Sequence, residues 1–125
     1  MDRNIVLVIE DDKALREALD EKLGSEGFNI FQARNGEEGL SIALDKKPDL
    51  ILLDIVMPRM DGISMLDELR KDEWGKNVPV IMLTNLDATE DVSHVINKGI
   101  NSYLVKSDWK LDEIVDKINQ ILKAE

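Results

Sequence analysis

Short runs of consecutive Ile, Val and Leu residues are the feature that most constrains what this chain can fold into. Three of them span Ile5–Ile9, Leu50–Leu53 and Val78–Leu83. A strand that is buried on both faces reads as a continuous apolar run, because neither face meets water. Two shorter strands fit Phe28–Gln32 and Ser102–Val105. The sequence therefore predicts five strands, three of which have both faces buried.

The segments between these strands carry apolar residues at the spacing of amphipathic helices. The clearest stripe is the last one, formed by Leu111, Ile114, Val115, Ile118, Ile121 and Leu122. Strands that alternate with helices favour a parallel sheet with helices on both faces, because each connection must cross over the sheet. We therefore predict an α/β fold, a (βα)5 chain whose five-stranded parallel sheet is doubly wound.

Polar and glycine residues mark where these helices begin and end. Asp12 fits the N-cap of the first helix, and Asn35 followed by Glu38 fits a capping box at the second. Gly24 and Gly27 come after the first helical stripe, where a left-handed residue commonly ends a helix. We expect the first helix to end before these glycines.

Charge and composition exclude several classes of function. The chain has 16 Lys and Arg residues against 26 Asp and Glu residues, a net charge of −10. Nucleic-acid binding depends on neutralising phosphates with basic residues, so direct binding of that kind is not expected. There are no cysteines, which excludes disulfides and thiolate sites. No apolar run approaches the roughly 20 residues that cross a bilayer, and we expect a cytoplasmic protein.

Polar residues follow four of the five predicted strands. Glu10 and Asp11 follow the first strand, Asp54 the third, Thr84 the fourth and Lys106 the fifth. Ligands of open α/β sheets bind beyond the carboxyl ends of the strands. The strand order 2-1-3-4-5, one of the two common orders for such sheets, brings these four strand ends together. We therefore predict this order and one site that contains all five residues.

Three carboxylates placed that close require a cation, since like charges cannot all stay ionised beside one another. Oxygen ligands suit a hard divalent ion, so we expect Mg²⁺ at Glu10, Asp11 and Asp54, with Mn²⁺ as an alternative. Asp54 would then be a nucleophile for phosphoryl transfer, with Thr84 and Lys106 binding the phosphoryl oxygens. Each residue alone also fits an ordinary cap or turn, and only their occurrence on four strand ends favours a site.

These segments resemble bacterial response-regulator receiver domains over most of the chain. The acidic pair in Val8–Asp12 is similar to the family's metal-binding segment, and Leu53–Gly62 is similar to its phosphorylation-site signature. Tyr103–Lys106 resembles the run that leads to the family's lysine. The resemblance implies a flavodoxin-like fold and a single receiver domain over residues 1–125 with no output domain; a piece of a longer regulator or hybrid kinase is the alternative.

The resemblance also implies a role for each matching residue. Asp54 is the expected phosphoacceptor. Asp11 is the expected direct Mg²⁺ ligand, Glu10 acts largely through water, and the main-chain carbonyl of Val56 is a further ligand. Phosphoryl binding would come from catalytic residues Thr84 and Lys106. Thr84 and Tyr103 are the expected switch residues. The Tyr103 ring would move inward when the Thr84 hydroxyl is drawn to the phosphate.

Three departures from the family pattern surround the expected site. Ser107 follows Lys106 where the family usually has proline, which leaves the geometry of that peptide bond open. Asn85 stands where the family favours a small residue. Val56 and Leu86 are apolar at the two variable positions beside the site, and their exclusion of water predicts a long-lived phosphoryl group.

The expected partners also follow from the resemblance. A sensor histidine kinase would dock near Leu15 and Leu19 on the first helix. The fourth helix, fifth strand and fifth helix, with Trp109, would form an output face for a downstream protein target, a relay partner or a homodimer. We do not expect an enzyme that turns over an external substrate.

Two other functions compete with this hypothesis. One is an interaction module that keeps the fold without phosphorylation. The other is a metal-dependent phosphohydrolase, which typically needs a second carboxylate shortly after the nucleophile. The next acidic residue after Asp54 is Asp61, seven positions on, which argues against a hydrolase.

Overall fold

The computed structural model describes residues 4–55, 60–84, 102–105 and 110–123; of residues 84 and 102–105 it describes the backbone alone. Strands and helices alternate along these segments. In chain order they are β1 Ile5–Ile9, α1 Lys13–Ser25, β2 Asn29–Ala33, α2 Gly36–Lys46, β3 Leu50–Asp54, α3 Gly62–Arg70, β4 Val80–Thr84, β5 Ser102–Val105 and α4 Leu111–Lys123. The helix expected between β4 and β5 falls outside the described residues.

The five strands form one parallel sheet in the order β2-β1-β3-β4-β5, which confirms the predicted topology. Ile9 at the end of β1 pairs with Leu53 of β3, and Asp54 pairs with Leu83 of β4. Thr84 in turn pairs with Val105, the last residue of β5. The carboxyl ends of β1, β3, β4 and β5 are therefore nearly level, as a site shared among them requires.

The central strands β1, β3 and β4 are buried on both faces over their described residues, which explains the continuous apolar runs. Alternate residues of each strand point to opposite sides. Leu7 and Ile9 of β1 belong to a core cluster with residues of α2 and α3, whereas Val6 and Val8 belong to a second cluster with residues of α1 and α4. Each central strand thus contributes to two cores, and a polar residue within it would lie buried in one of them.

Side-chain caps define where α1 and α2 begin. The Asp12 carboxylate accepts hydrogen bonds from the backbone amides of Ala14 at 3.0 Å and Leu15 at 3.4 Å, which confirms it as an N-cap. Asn35 accepts from the amide of Glu38 at 2.9 Å, as predicted. The Glu38 carboxylate accepts from the amide of Arg34 at 3.0 Å, one residue before the cap.

The predicted end of the first helix is wrong by two residues. Gly24 lies inside α1, which continues to Ser25, and Gly27 has the left-handed φ of 96°. The chain therefore reverses at Gly27 before β2 begins. Among the described helices, none has both the length and the apolar character that a bilayer crossing demands.

Candidate metal centre

Glu10 is positioned by the end of β1 and is fully buried. Its backbone amide donates to the carbonyl of Ala33 at 3.0 Å, which extends the β1–β2 ladder by one residue. Its carboxylate oxygen Oε2 accepts a hydrogen bond from the amide of Asp12 at 3.1 Å. A strand end and a turn amide therefore hold the side chain in one orientation.

Asp54 is the last residue of β3 and is 2% exposed. The next residue, Ile55, donates its amide to Leu83 at 3.1 Å, and its carbonyl accepts from the amide of Gly62 at 2.8 Å. Gly62 is the first residue of α3, and a Cβ added there would lie 2.2 Å from the carbonyl oxygen of Asp54. The start of α3 therefore packs directly on the backbone of Asp54, at a distance that only glycine permits.

Glu10, Asp11 and Asp54 bring one carboxylate oxygen each to within 4.8 Å of one another. Glu10 and Asp54 are buried and Asp11 is exposed, so the cluster opens to solvent on the side of Asp11. An all-oxygen set of two buried carboxylates and one accessible carboxylate fits a hard divalent cation that keeps part of its water shell. The residues present thus fit Mg²⁺, as the sequence predicted.

A second loop contact, not anticipated from sequence, holds the segment after Asp54. The amide of Gly36, at the start of α2, donates to the carbonyl of Met60 at 2.9 Å. A Cβ on Gly36 would lie 2.1 Å from that same oxygen. The start of α2 therefore fixes one end of the connection between β3 and α3, and the sequence signal for it is a glycine directly after an N-cap.

Arg16 is a second residue that the sequence reasoning missed. Arg16 is the fourth residue of α1, and its Nη1 atom donates to the backbone carbonyl of Glu10 at 2.9 Å and lies 3.5 Å from that of Asp11. An arginine shortly after an acidic pair is common on helix surfaces and gave no signal by itself.

The other predicted site residues are described only in part. The backbone of Thr84 ends β4 and that of Tyr103 lies in β5, opposite Met82. Val56 and Lys106 lie outside the described residues, as do Asn85, Leu86, Ser107 and Trp109. The predicted roles of Thr84, Tyr103, Val56 and Lys106 stay predictions.

Comparison with known sequences gives one family over nearly the whole chain. Residues 6–119 match the response regulator receiver domain. The chain is 32% identical to the DNA-binding dual master transcriptional regulator RpaA of Synechocystis over 118 residues, which cover 94% of this chain and 48% of RpaA. It is 31% identical to the response regulator MprA of Mycobacterium over 94% of this chain and 50% of MprA. The chain thus spans about half the length of these curated relatives.

Solved structures agree with this match. The receiver domain of the Francisella response regulator 1452 is 35% identical, with a TM-score of 0.89, and the alignment covers 97% of this chain and 98% of that one. A CheX-CheY-BeF3-Mg complex from Borrelia burgdorferi contains a chain that is 30% identical, with a TM-score of 0.86, over 94% of this chain and 88% of that one.

Proposed function

This chain belongs to the response regulator receiver domain family, whose standard role is phosphorylation-based signalling, and we propose that Asp54 is its phosphoacceptor. The observation that carries the proposal is the cluster of buried Glu10, exposed Asp11 and buried Asp54 at the ends of the neighbouring strands β1 and β3. Burial of an isolated carboxylate costs free energy, and a bound cation offsets that cost. A buried carboxylate beside a cation site is the arrangement that phosphoryl transfer to a carboxylate requires.

The position of Asp54 at the end of β3 suits it to accept a phosphoryl group from a phosphohistidine. A carboxylate oxygen of Asp54 attacks the phosphorus of a phosphohistidine on a sensor kinase; the new O–P bond forms as the P–N bond breaks, and the histidine nitrogen leaves with the electron pair. Burial of Asp54 limits the access of water to the resulting acyl phosphate. The end of β3 and the start of α3 hold the nucleophile in place, and such positioning supplies much of the rate of phosphoryl transfer.

Glu10, Asp11, Asp54 and the main-chain carbonyl of Val56 would hold the divalent ion. When bound, Mg²⁺ offsets the negative charge of the carboxylates and of the incoming phosphoryl oxygens. The magnesium of the CheX-CheY-BeF3-Mg complex from Borrelia burgdorferi supports the choice of ion, and Mn²⁺ is the alternative. Thr84 and Lys106 would bind the phosphoryl oxygens, which the nearly level ends of β3, β4 and β5 support.

The signal would leave through Thr84 and Tyr103 to the face formed by β5 and the helices beside it. There we propose a protein target, a relay partner or a second copy of the chain as the recipient. The charge of −10 supports a protein partner over direct DNA contact, although RpaA is described as DNA-binding. A cytoplasmic location and an extent of one receiver domain without an output domain stay predictions.

We further propose that the domain promotes its own phosphorylation without turning over an external substrate, and that apolar Val56 and Leu86 prolong the life of the phosphoryl group. First-order loss of the group from purified protein measures that lifetime. Rapid loss without a phosphatase would contradict the second part of this proposal.

Intact-mass measurement tests the function as a whole. The protein is incubated with a small phosphodonor and Mg²⁺, with Asp54→Asn as the matched variant. One phosphoryl adduct on the wild type and none on Asp54→Asn is the expected result. The absence of an adduct on the wild type would support an interaction module, and steady release of inorganic phosphate with repeated turnover would support a hydrolase.

A further inference from the structure

The loop that carries Glu10 and Asp11 is anchored from outside by the side chain of Arg16. Glu10, Asp11 and Asp12 form the short connection between β1 and α1, and Arg16 is the fourth residue of α1. Its half-buried guanidinium turns back along the helix, and Nη1 donates to the Glu10 carbonyl at 2.9 Å and approaches the Asp11 carbonyl at 3.5 Å. One side chain therefore contacts the backbone of both acidic residues.

The contact adds to the bonds that regular structure makes in this connection. The Glu10 amide continues the β1–β2 ladder, the Asp12 amide donates to the Glu10 carboxylate, and Asp12 itself caps α1. Those bonds engage amides and side-chain oxygens. The contacts from Arg16 engage instead the carbonyl oxygens of the Glu10–Asp11 and Asp11–Asp12 peptides. Arg16 therefore constrains the rotation of the peptides that orient the two carboxylates.

We propose that Arg16 is a positioning residue that sets the Mg²⁺ affinity of the acidic cluster by fixing the β1–α1 connection. The proposal rests on the proposed function only for the identity of the ion. Residues that orient metal ligands without touching the metal are often worth 10-fold or more in affinity. A planar guanidinium suits this role better than an ammonium, because its N–H groups have a fixed direction.

Electrostatics alone predict the opposite effect, which makes the proposal testable by sign. Arg16 is a cation close to a cation site, so its removal lowers the charge repulsion on Mg²⁺ and would tighten binding. Lys13, an exposed cation in the first turn of the same helix, supplies the matched control. Lys13→Gln removes the same charge without touching the bonds to Glu10 and Asp11.

The experiment measures Mg²⁺ dissociation constants by isothermal titration calorimetry for the wild type, Arg16→Gln, Arg16→Lys and Lys13→Gln. Positioning predicts that Arg16→Gln weakens Mg²⁺ binding roughly tenfold. Arg16→Lys keeps the charge and should show an intermediate loss, and Lys13→Gln should bind as tightly as the wild type or more tightly. The Mg²⁺ concentration for half-maximal phosphorylation should rise in parallel, with the rate at saturating Mg²⁺ nearly unchanged.

Equal or tighter binding of Mg²⁺ by Arg16→Gln would overturn the proposal and reduce Arg16 to a stabilising contact of α1. Urea unfolding of the ion-free proteins identifies any variant that fails to fold, and Arg16→Lys then carries the comparison against the wild type. A wild type that binds Mg²⁺ but forms no adduct would refute the proposed function and leave the role of Arg16 intact. A wild type that forms the adduct, with Arg16 variants of unchanged affinity, would refute the role of Arg16 alone.

Discussion

Replacement of Gly62 by alanine should harm stability and phosphorylation together. The added Cβ would lie 2.2 Å from the carbonyl oxygen of Asp54 and 2.9 Å from Cα of Ile55. Ordinary contact begins near 3.4 Å, so the start of α3 and the end of β3 must separate by about 1.2 Å, the difference between 3.4 and 2.2 Å. Both obstacles are backbone atoms, one in the last residue of β3 and one in the residue after it, and they cannot rotate away as a side chain could.

The size of the effect follows from two opposing contributions. Overpacking of a dense interior typically costs about 1–3 kcal/mol. Alanine in place of glycine within a helix returns at most about 1 kcal/mol. We expect a net loss of about 2 kcal/mol in the free energy of unfolding, because a clash between two backbone segments falls in the upper part of that range. A displacement near 1 Å at the reacting group is expected to slow phosphorylation about 100-fold.

Urea unfolding and the rate of adduct formation with a small phosphodonor measure both effects. Gly24→Ala is the matched control, since a Cβ there meets no described atom within 4 Å beyond the backbone of its own helix. It should stabilise α1 by about 0.5–1 kcal/mol and leave the phosphorylation rate unchanged. If Gly62→Ala proved as stable and as reactive as Gly24→Ala, the close packing of α3 on Asp54 would be refuted.

Three further outcomes test other parts of the structure. Arg70→Met should lower the free energy of unfolding by about 1–3 kcal/mol, because the Arg70 guanidinium donates at 2.7 and 2.8 Å to two backbone carbonyls between α3 and β4. These carbonyls precede β4, at the opposite end of the strand from the site, so a changed phosphorylation rate would contradict a purely structural role. The hydrogen bond from Lys22 at 2.7 Å lowers the pKa of Asp112 and raises that of Lys22, so a double-mutant cycle should show coupling at neutral pH. That coupling should vanish when the pH falls through the lowered pKa of Asp112 or rises through the raised pKa of Lys22, and an unchanged coupling in strong acid would refute it. Mg²⁺ at ten times its dissociation constant should raise the unfolding free energy by about 1.4 kcal/mol in the wild type, and Asp11→Asn should lose most of this gain at the same Mg²⁺ concentration.

The sheet could be predicted from sequence because each strand is marked by its own apolar run and several strands carry the same pattern. Apolar runs identify the buried strands. The polar residues after these strands can form one site only if the strands are neighbours, and this requirement predicts the strand order. β1 and β5 have the predicted bounds, whereas β4 starts at Val80, two residues later than predicted. Val78 lies before β4, and its carbonyl accepts a hydrogen bond from the Arg70 side chain, a contact that no local sequence pattern predicts.

The details of the site were less accessible for a physical reason. Glu10, Asp11 and Asp54 were found because carboxylates after apolar runs are conspicuous. Arg16 and Gly36 donate to backbone carbonyls. A glycine after an N-cap is visible in the sequence, but the carbonyl that it contacts is not, because every residue has one. Gly24 and Gly27 were equivalent as helix terminators until the structure placed the left-handed φ at Gly27. Sequence thus predicts which residues have the chemistry, and the fold determines what holds them.

Chemical location of the phosphoryl group tests the central claim most directly. The protein is phosphorylated with a small phosphodonor and Mg²⁺, then treated with borohydride, which reduces an aspartyl phosphate to homoserine and releases phosphate. Tandem mass spectrometry of the digest then identifies the modified residue. We expect homoserine at position 54 and unmodified aspartate at Asp11 and Asp61. Homoserine at either of those two residues, or at no residue, would contradict the assignment of Asp54 as phosphoacceptor.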